Sequence, residues 1–254
     1  MQKKWILVTL TLFNLYSLVY AADQAHSIGG HWSYQGQTGP AIWGELSKEY
    51  TTCKLGKHQS PIHIETATPS SLPKLVFDYH PIPLTIENNG HTIKLDAEKV
   101  GSLTLGEDTY QLKQIHFHMP AEEVIQKQQF DMVAHLVHQN AEGKLAVVAA
   151  LFNKGNTSHP LIATLWDTLP AKEGDAQTHA QLKIDLTKLL PEDKNYYTYE
   201  GSLTTPPCSE GVKWLILKQT QTISSEQLAA YQALYPQSAR PTQPLNDRTV
   251  FSSN

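Results

Sequence analysis

Gln114-Ile115-His116-Phe117-His118 carries the most chemistry per residue, and Val133-Ala134-His135-Leu136-Val137 answers it, with its histidine seventeen residues after His118. Both segments are short, rich in β-branched and aromatic types, and alternate in character, which is the pattern of strands. Side chains alternate across a strand, so His116 and His118 leave one face while Ile115 and Phe117 leave the other. Two imidazoles so spaced can chelate one metal, and His135 on a neighbouring strand can close a triangle. Three neutral imidazoles leave the fourth position of a tetrahedral Zn²⁺ open, the arrangement of a catalytic site and not of a structural one. Histidines of this kind also occur as plain interior or surface residues, and the residues alone leave both readings open.

The elements that must position these groups are mostly strands. Val76–Tyr79, Leu84–Glu87, His91–Leu95, Ser102–Leu105, Tyr110–His118, Phe130–His138, Leu145–Phe152 and Trp214–Thr220 all read as strands, and Asn88-Asn89-Gly90 reads as a turn. Ser158-His159-Pro160 opens a short helix through Trp166, with proline at a tolerated early position, and Ser224-Ser225-Glu226-Gln227 resembles a capping box for a second through Ala233. His31–Tyr34 and Gly39–Trp43 have no regular period but are too aromatic for a disordered linker, so they are expected to pack as an arm on the body. Gly201-Ser202-Leu203-Thr204-Thr205-Pro206-Pro207 is a loop with restricted backbone and hydroxyls that can both donate and accept. No repeat, low-complexity tract or compositional break appears. The expected fold is a single, mainly β domain with short helices on the outside.

The bulk numbers exclude several function classes. Met1-Gln2-Lys3-Lys4, an apolar run from Trp5 to Tyr20, and small residues up to Ala21 form the pattern of a secretory signal peptide over residues 1–21, leaving 22–254 as the mature domain. Removing Lys3 and Lys4 takes the formal charge from −4 to −6. A mildly acidic chain without a basic tract is a poor nucleic-acid binder, and no later segment is apolar enough for a membrane span. The two cysteines, Cys53 and Cys208, suggest one disulfide in an exported protein, or two buried thiols.

Taken together, the segments resemble the α-class carbonic anhydrases, specifically the short exported bacterial type, from about Trp32 to Arg248. The anchors are Gln59-Ser60-Pro61-Ile62, Asn88-Asn89-Gly90-His91, Gln114-x-His116-Phe117-His118, His135-Leu136-Val137-His138, Gly201 to Pro207, Trp214, and Arg240-Pro241-x-Gln243-Pro244. The resemblance implies a mainly β (α+β) fold, with a central, mostly antiparallel twisted sheet of about ten strands, short peripheral helices, and Zn²⁺, held by His116, His118 and His135, at the bottom of a conical cleft. It implies reversible hydration of CO₂ to bicarbonate and a proton by a zinc-bound hydroxide, in a periplasmic or secreted enzyme open to anion and sulfonamide inhibitors. Thr204 then orients the nucleophile, Glu122 accepts from Thr204, and His91 shuttles the proton, its imidazole titrating near neutrality. Thr205 lies beside the substrate, Val137, Val147, Leu203 and Trp214 form the apolar wall, and Tyr34, Asn89 and Gln114 line the cleft. Cys53 and Cys208 match the positions of the single bacterial disulfide.

The chain departs from the family pattern at two linked places. Val133 stands where a glutamate usually supports the third zinc histidine, and Glu123 stands where a histidine usually pairs with that glutamate. Glu123 is therefore expected to supply the missing carboxylate from the other side. Lys94 occupies a position often held by a neutral amide, which suggests a cation near the mouth. The alternative function is a non-catalytic carbonic anhydrase-like binding module, for which loss of a zinc histidine is the usual mark. A different zinc hydrolase is a third reading. Monomer and homodimer both remain open.

Overall fold

Alternation decides which way each strand faces, and a sheet covered on both sides leaves little of a central strand in water. The computed structural model describes residues 30–98, 100–170 and 172–254; the signal-peptide segment lies outside these. In chain order the strands are β1 (His63–Ile64), β2 (Thr68–Pro69), β3 (Leu75–Tyr79), β4 (Ile82–Asn88), β5 (Ile93–Asp96), β6 (Gly101–Leu105), β7 (Asp108–His118) and β8 (Val124–Ile125). They continue with β9 (Gln128–Gln129), β10 (Met132–Gln139), β11 (Leu145–Gly155), β12 (Ala176–Ile184), β13 (Tyr196–Ser202), β14 (Glu210–Leu217), β15 (Gln221–Ser224) and β16 (Phe251–Ser252). The α-helices are short: α1 (Trp43–Leu46), α2 (Thr52–Leu55), α3 (Pro160–Trp166) and α4 (Ser225–Leu234).

The large sheet runs β12-β4-β5-β7-β10-β11-β14-β13-β16-β2, with β15 beside β11, β6 beside β7 and β3 beside β6. Most pairings are antiparallel; β11 runs parallel to β14 and β15, and β16 parallel to β2. A separate small sheet joins β1, β8 and β9. The sheet has thirteen strands among the described residues, ten of them on this path, against about ten expected.

Two apolar clusters lie on opposite faces of the central strands. Ala134 and Leu136 of β10, Val148 and Phe152 of β11, and Leu215 of β14 join the larger one, which α3 and α4 help to cover. Their sequence neighbours Val133, Val137, Val147, Ala149, Leu151, Trp214 and Ile216 form the second, on the face that carries the histidines. β7 is the exception to strict alternation. A register shift falls where Val137 pairs with Gln114 but His138 pairs with Leu112. The extra residue, Lys113, forms a bulge that leaves Tyr110 and Leu112 in the larger core and turns Gln114, His116 and His118 to the other face.

Both long helices start as the sequence suggests. His159 caps α3 by accepting from Ile162 N, with Pro160 in the first turn, and Ser224 with Gln227 forms the capping box of α4. Gln227 also accepts from His159 N and donates to His159 O, tying the two helix starts together. The aromatic arm is ordered, as expected, as short helical turns from Gly36 to Leu55 with Trp43 fully buried.

Other boundaries moved. The strand expected at Trp214–Thr220 is Glu210–Leu217, because β13 supplies partners only from Ser202 to Tyr196. His91 and Thr92 precede β5, and Phe130 precedes β10. β12 and β13 were not foreseen: β12 is largely exposed and polar, and the edge of a sheet needs no apolar period. Cys53 and Cys208 form a disulfide joining α2 to the loop after β13. Among the described residues no helix is long and apolar enough to cross a membrane.

Candidate metal centre

The antiparallel register of β7 and β10 sets His116 opposite His135 and His118 opposite Val133. One ring nitrogen from each of His116, His118 and His135 then lies within 4.8 Å of the others. The remaining nitrogens are held from behind. His116 Nδ1 is 2.9 Å from Gln114 Oε1, His118 Nδ1 is 2.5 Å from the Ser238 carbonyl oxygen, and His135 Nε2 is 2.8 Å from Glu123 Oε1. Carbonyl oxygens only accept, as do carboxylate oxygens, so each of these nitrogens donates. The tautomers assigned by those partners leave lone pairs on His116 Nε2, His118 Nε2 and His135 Nδ1 directed at one point.

His118 Nε2 is buried without a hydrogen-bond partner. An orphaned buried nitrogen is costly, and a ligand at the common point satisfies it. Burial, reinforced by the neighbouring imidazoles, holds His116 and His135 well below the usual imidazole range, and burial lowers His118 to about 4. Neutral imidazoles are what a metal needs. The donor set fits zinc with one open position.

Glu122 sits against two of the imidazoles, its Oε1 3.7 Å from His118 Nδ1 and its Oε2 4.0 Å from His135 Nδ1. Oε1 accepts from Arg240 N at 2.8 Å. Burial raises the Glu122 carboxyl to about 8, opposed by the Thr204 hydroxyl and the Arg240 backbone beside it. Oε2 has no formal hydrogen bond and is the oxygen left for the buried Thr204. The Thr204 loop is closed by Leu203 N donating to Ser209 O and Cys208 N to Thr205 O. Trp214 Nε1 donates to Ser202 O from below, and the disulfide pins the far end at Cys208. Thr205 is half-buried on the same loop.

The apolar wall follows from register. Gln114 pairs with Val137, Val137 with Val147, and Val147 with Trp214, so one row crosses four strands on the histidine face. The Trp214 ring stands edge-on to His135 at 4.9 Å, and the partly buried Leu203 packs against the same cluster.

At the rim, the Asn89 side-chain oxygen accepts from His91 N and Thr92 N, so it shapes the turn that carries His91. Gly90 takes φ +84° there, a conformation suited to glycine. His91 stacks on Trp32 at 3.8 Å and 9° between planes. Burial and nearby His31 lower its pKa, while Glu173 opposes them. His31, Trp32, Tyr34, His91, Glu173 and Tyr235 line a cavity of about 310 Å³. The Tyr34 hydroxyl is 3.5 Å from His118 Nδ1, a weak contact, and burial pushes it well above the usual phenol range. Lys94 lies opposite His116 on β5, with its ammonium 2.5 Å from Glu87, so the expected cation is paired.

Sequence reasoning missed Ser238, which acts through a backbone carbonyl and leaves no side-chain signature. Trp32 and Glu173 were also missed as neighbours of His91. The adjacent aromatic His31-Trp32-Ser33-Tyr34 arm was the available signal for Trp32.

A family model described as eukaryotic-type carbonic anhydrase matches residues 38–254. A carbonic anhydrase of Klebsiella pneumoniae is 43% identical over 224 residues, covering 87% of this chain and 90% of that protein. The α-carbonic anhydrase of Thermovibrio ammonificans, solved with the inhibitor sulfanilamide, is 40% identical with a TM-score of 0.84, over 88% of this chain and 99% of that one. Dioscorin, solved with ascorbate, is 34% identical with a TM-score of 0.81, over 87% of this chain and 97% of that one. On the matched length, the identity and the shared fold, this chain belongs to the α-class, or eukaryotic-type, carbonic anhydrases.

Proposed function

We propose that this chain hydrates CO₂ reversibly to bicarbonate and a proton, with Zn²⁺ held by His116, His118 and His135 and with His91 as the proton's exit. The observation that carries the reading is the three imidazoles, each held from behind, with the buried His118 Nε2 left unpartnered toward their common point. Zinc bound there supplies Lewis-acid activation of water near neutral pH.

The chain's own residues do the rest. Thr204 has one hydroxyl proton; committed to Glu122, it leaves only acceptor lone pairs for a water in the cleft. That water must donate to Thr204, which aims its own lone pair at the substrate carbon. Val137, Val147, Leu203 and Trp214 offer CO₂ an apolar surface, suited to a ligand with little to hydrogen-bond, with Thr205 beside it. The proton leaves through ordered water to His91 and from its imidazole to buffer. Gln114 serves by fixing His116, and Asn89 by fixing the turn under His91.

Residues 22–254 form the catalytic domain of this proposal, exported behind a signal peptide at 1–21; the basic and apolar N-terminal pattern and the disulfide support that reading. The sulfanilamide complex of the Thermovibrio relative supports sulfonamide inhibition here. The likeness to dioscorin favours a second reading, a binding module on the same fold.

Stopped-flow CO₂ hydration, with zinc quantified on the same sample, tests the proposal. Fast, sulfonamide-sensitive hydration at one zinc per chain is expected. Zinc without hydration selects the binding module, and no zinc overturns the metal centre.

A further inference from the structure

Glu122 and Glu123 are consecutive, both buried, and their carboxylates serve different halves of the site. Glu122 Oε1 accepts from Arg240 N at 2.8 Å and its Oε2 is left for Thr204, whereas Glu123 Oε1 accepts from His135 Nε2 at 2.8 Å. The support for His135 therefore comes from outside its own strand. On β10 the same-face neighbours of His135 are Val133 and Val137, both buried and neither able to accept a hydrogen bond. Glu123 Oε2 is buried with no hydrogen-bond partner, so the hydrogen bond to His135 is the contact that accounts for a carboxylate at this depth.

The segment carrying Glu123 is anchored on both sides. β8 pairs with β1 and β9, Ala121 N donates to Phe130 O at 3.1 Å, and Gln126 N donates to Ile64 O at 2.9 Å. We infer that Glu123 is the positioning residue of the third metal ligand, and that the 121–130 segment, and not β10, governs how long the metal is held. This rests on the zinc reading above. A consequence is that one two-residue step couples the metal-holding half of the site to the half that orients water through Thr204.

The test measures release of zinc to a chelator from the full chain, for wild type, E123Q, E123A and E123A/V133E, with the visible spectrum of the cobalt-substituted forms. E123A is expected to release metal about 10–100-fold faster, the usual range for losing the partner behind a ligand, with a shifted cobalt spectrum. E123Q keeps an acceptor oxygen without the charge and is expected to lie several-fold above wild type. V133E places a carboxylate on the same strand face as His135 and is expected to slow release in the E123A background. If E123A does not fold, E123Q carries the test. Wild type that holds zinc, while each folded Glu123 variant releases it at the wild-type rate with an unchanged spectrum, overturns the inference and leaves the zinc reading standing. Wild type that takes up no zinc overturns both.

Discussion

Removing the disulfide tests how the fold and the site share one constraint. Cys53 and Cys208 are 155 residues apart, so the bond restricts most of the unfolded chain. The chain-entropy relation gives about 5 kcal/mol for a loop of that length at 25 °C, an upper bound because denatured chains keep structure. For a chain of this size that corresponds to a fall in Tm of about 10–20 °C. The site should suffer less. Leu203 N still donates to Ser209 O, Gln59 Nε2 to the Cys208 carbonyl at 3.0 Å, and Arg240 binds Gln59 and Ser60, so Thr204 keeps non-covalent supports. A C53A/C208A variant should therefore lose several kcal/mol in urea unfolding of the metal-free protein, while kcat/KM of the folded, zinc-loaded enzyme at 25 °C falls only a few-fold. A stability loss under about 1 kcal/mol refutes the loop-entropy reasoning. Activity lost in a variant that remains folded refutes the claim that the hydrogen bonds hold Thr204.

His91→Ala should lower kcat by roughly 100-fold in weak buffer and leave kcat/KM nearly unchanged, with imidazole restoring turnover. Because burial and His31 hold His91 below the usual imidazole pKa, the proton-transfer limb of the kcat profile should lie below pH 6.5. Val147→Phe should fill the apolar wall and cut kcat/KM at least about tenfold with zinc content unchanged, since Val147 pairs with Val137 and Trp214 on the face proposed for CO₂. His138 is buried against Tyr79 and lowered to about 4 by burial, so its folded pKa lies under its unfolded one. The unfolded state then binds the proton first, and this contribution to stability is intact above about pH 6.5 and lost toward pH 4, by about 3 kcal/mol in all. Unfolding free energies of wild type and His138→Asn across that range should differ by this slope; parallel curves would show that His138 does not drive the acid loss.

The features legible in the sequence are those in which side-chain type and strand period agree. His116, His118 and His135 show because a metal needs imidazoles and a strand returns to the same face every second residue. Ser238 holds His118 through a main-chain oxygen that any residue would possess, so no residue type announces it. β12 lies at the sheet edge with most of its side chains in solvent, so no apolar face marks it. Glu123 was legible only as the counterpart of an unexpected Val133, and its distance to His135 required the fold.

The bulge in β7 shows why the period alone is insufficient. Extended without interruption, alternation would put Tyr110 and Leu112 on the face of Gln114 and the metal histidines. The bulge at Lys113 sends those two apolar side chains to the larger core, opposite the polar residues of the cleft. One added residue thus lets Tyr110 and Leu112 before it share the larger core with Ile115 and Phe117 after it. Deleting Lys113 would set Leu112 directly before Gln114, and unbroken alternation would then keep Tyr110 and Leu112 in the larger core and the histidines on the cleft face. Val137 and His138 would pair with Gln114 and Leu112 in unbroken register, so the deletion variant should fold and bind zinc; loss of folding or of zinc binding in that variant would refute this account of how the strand positions its histidines.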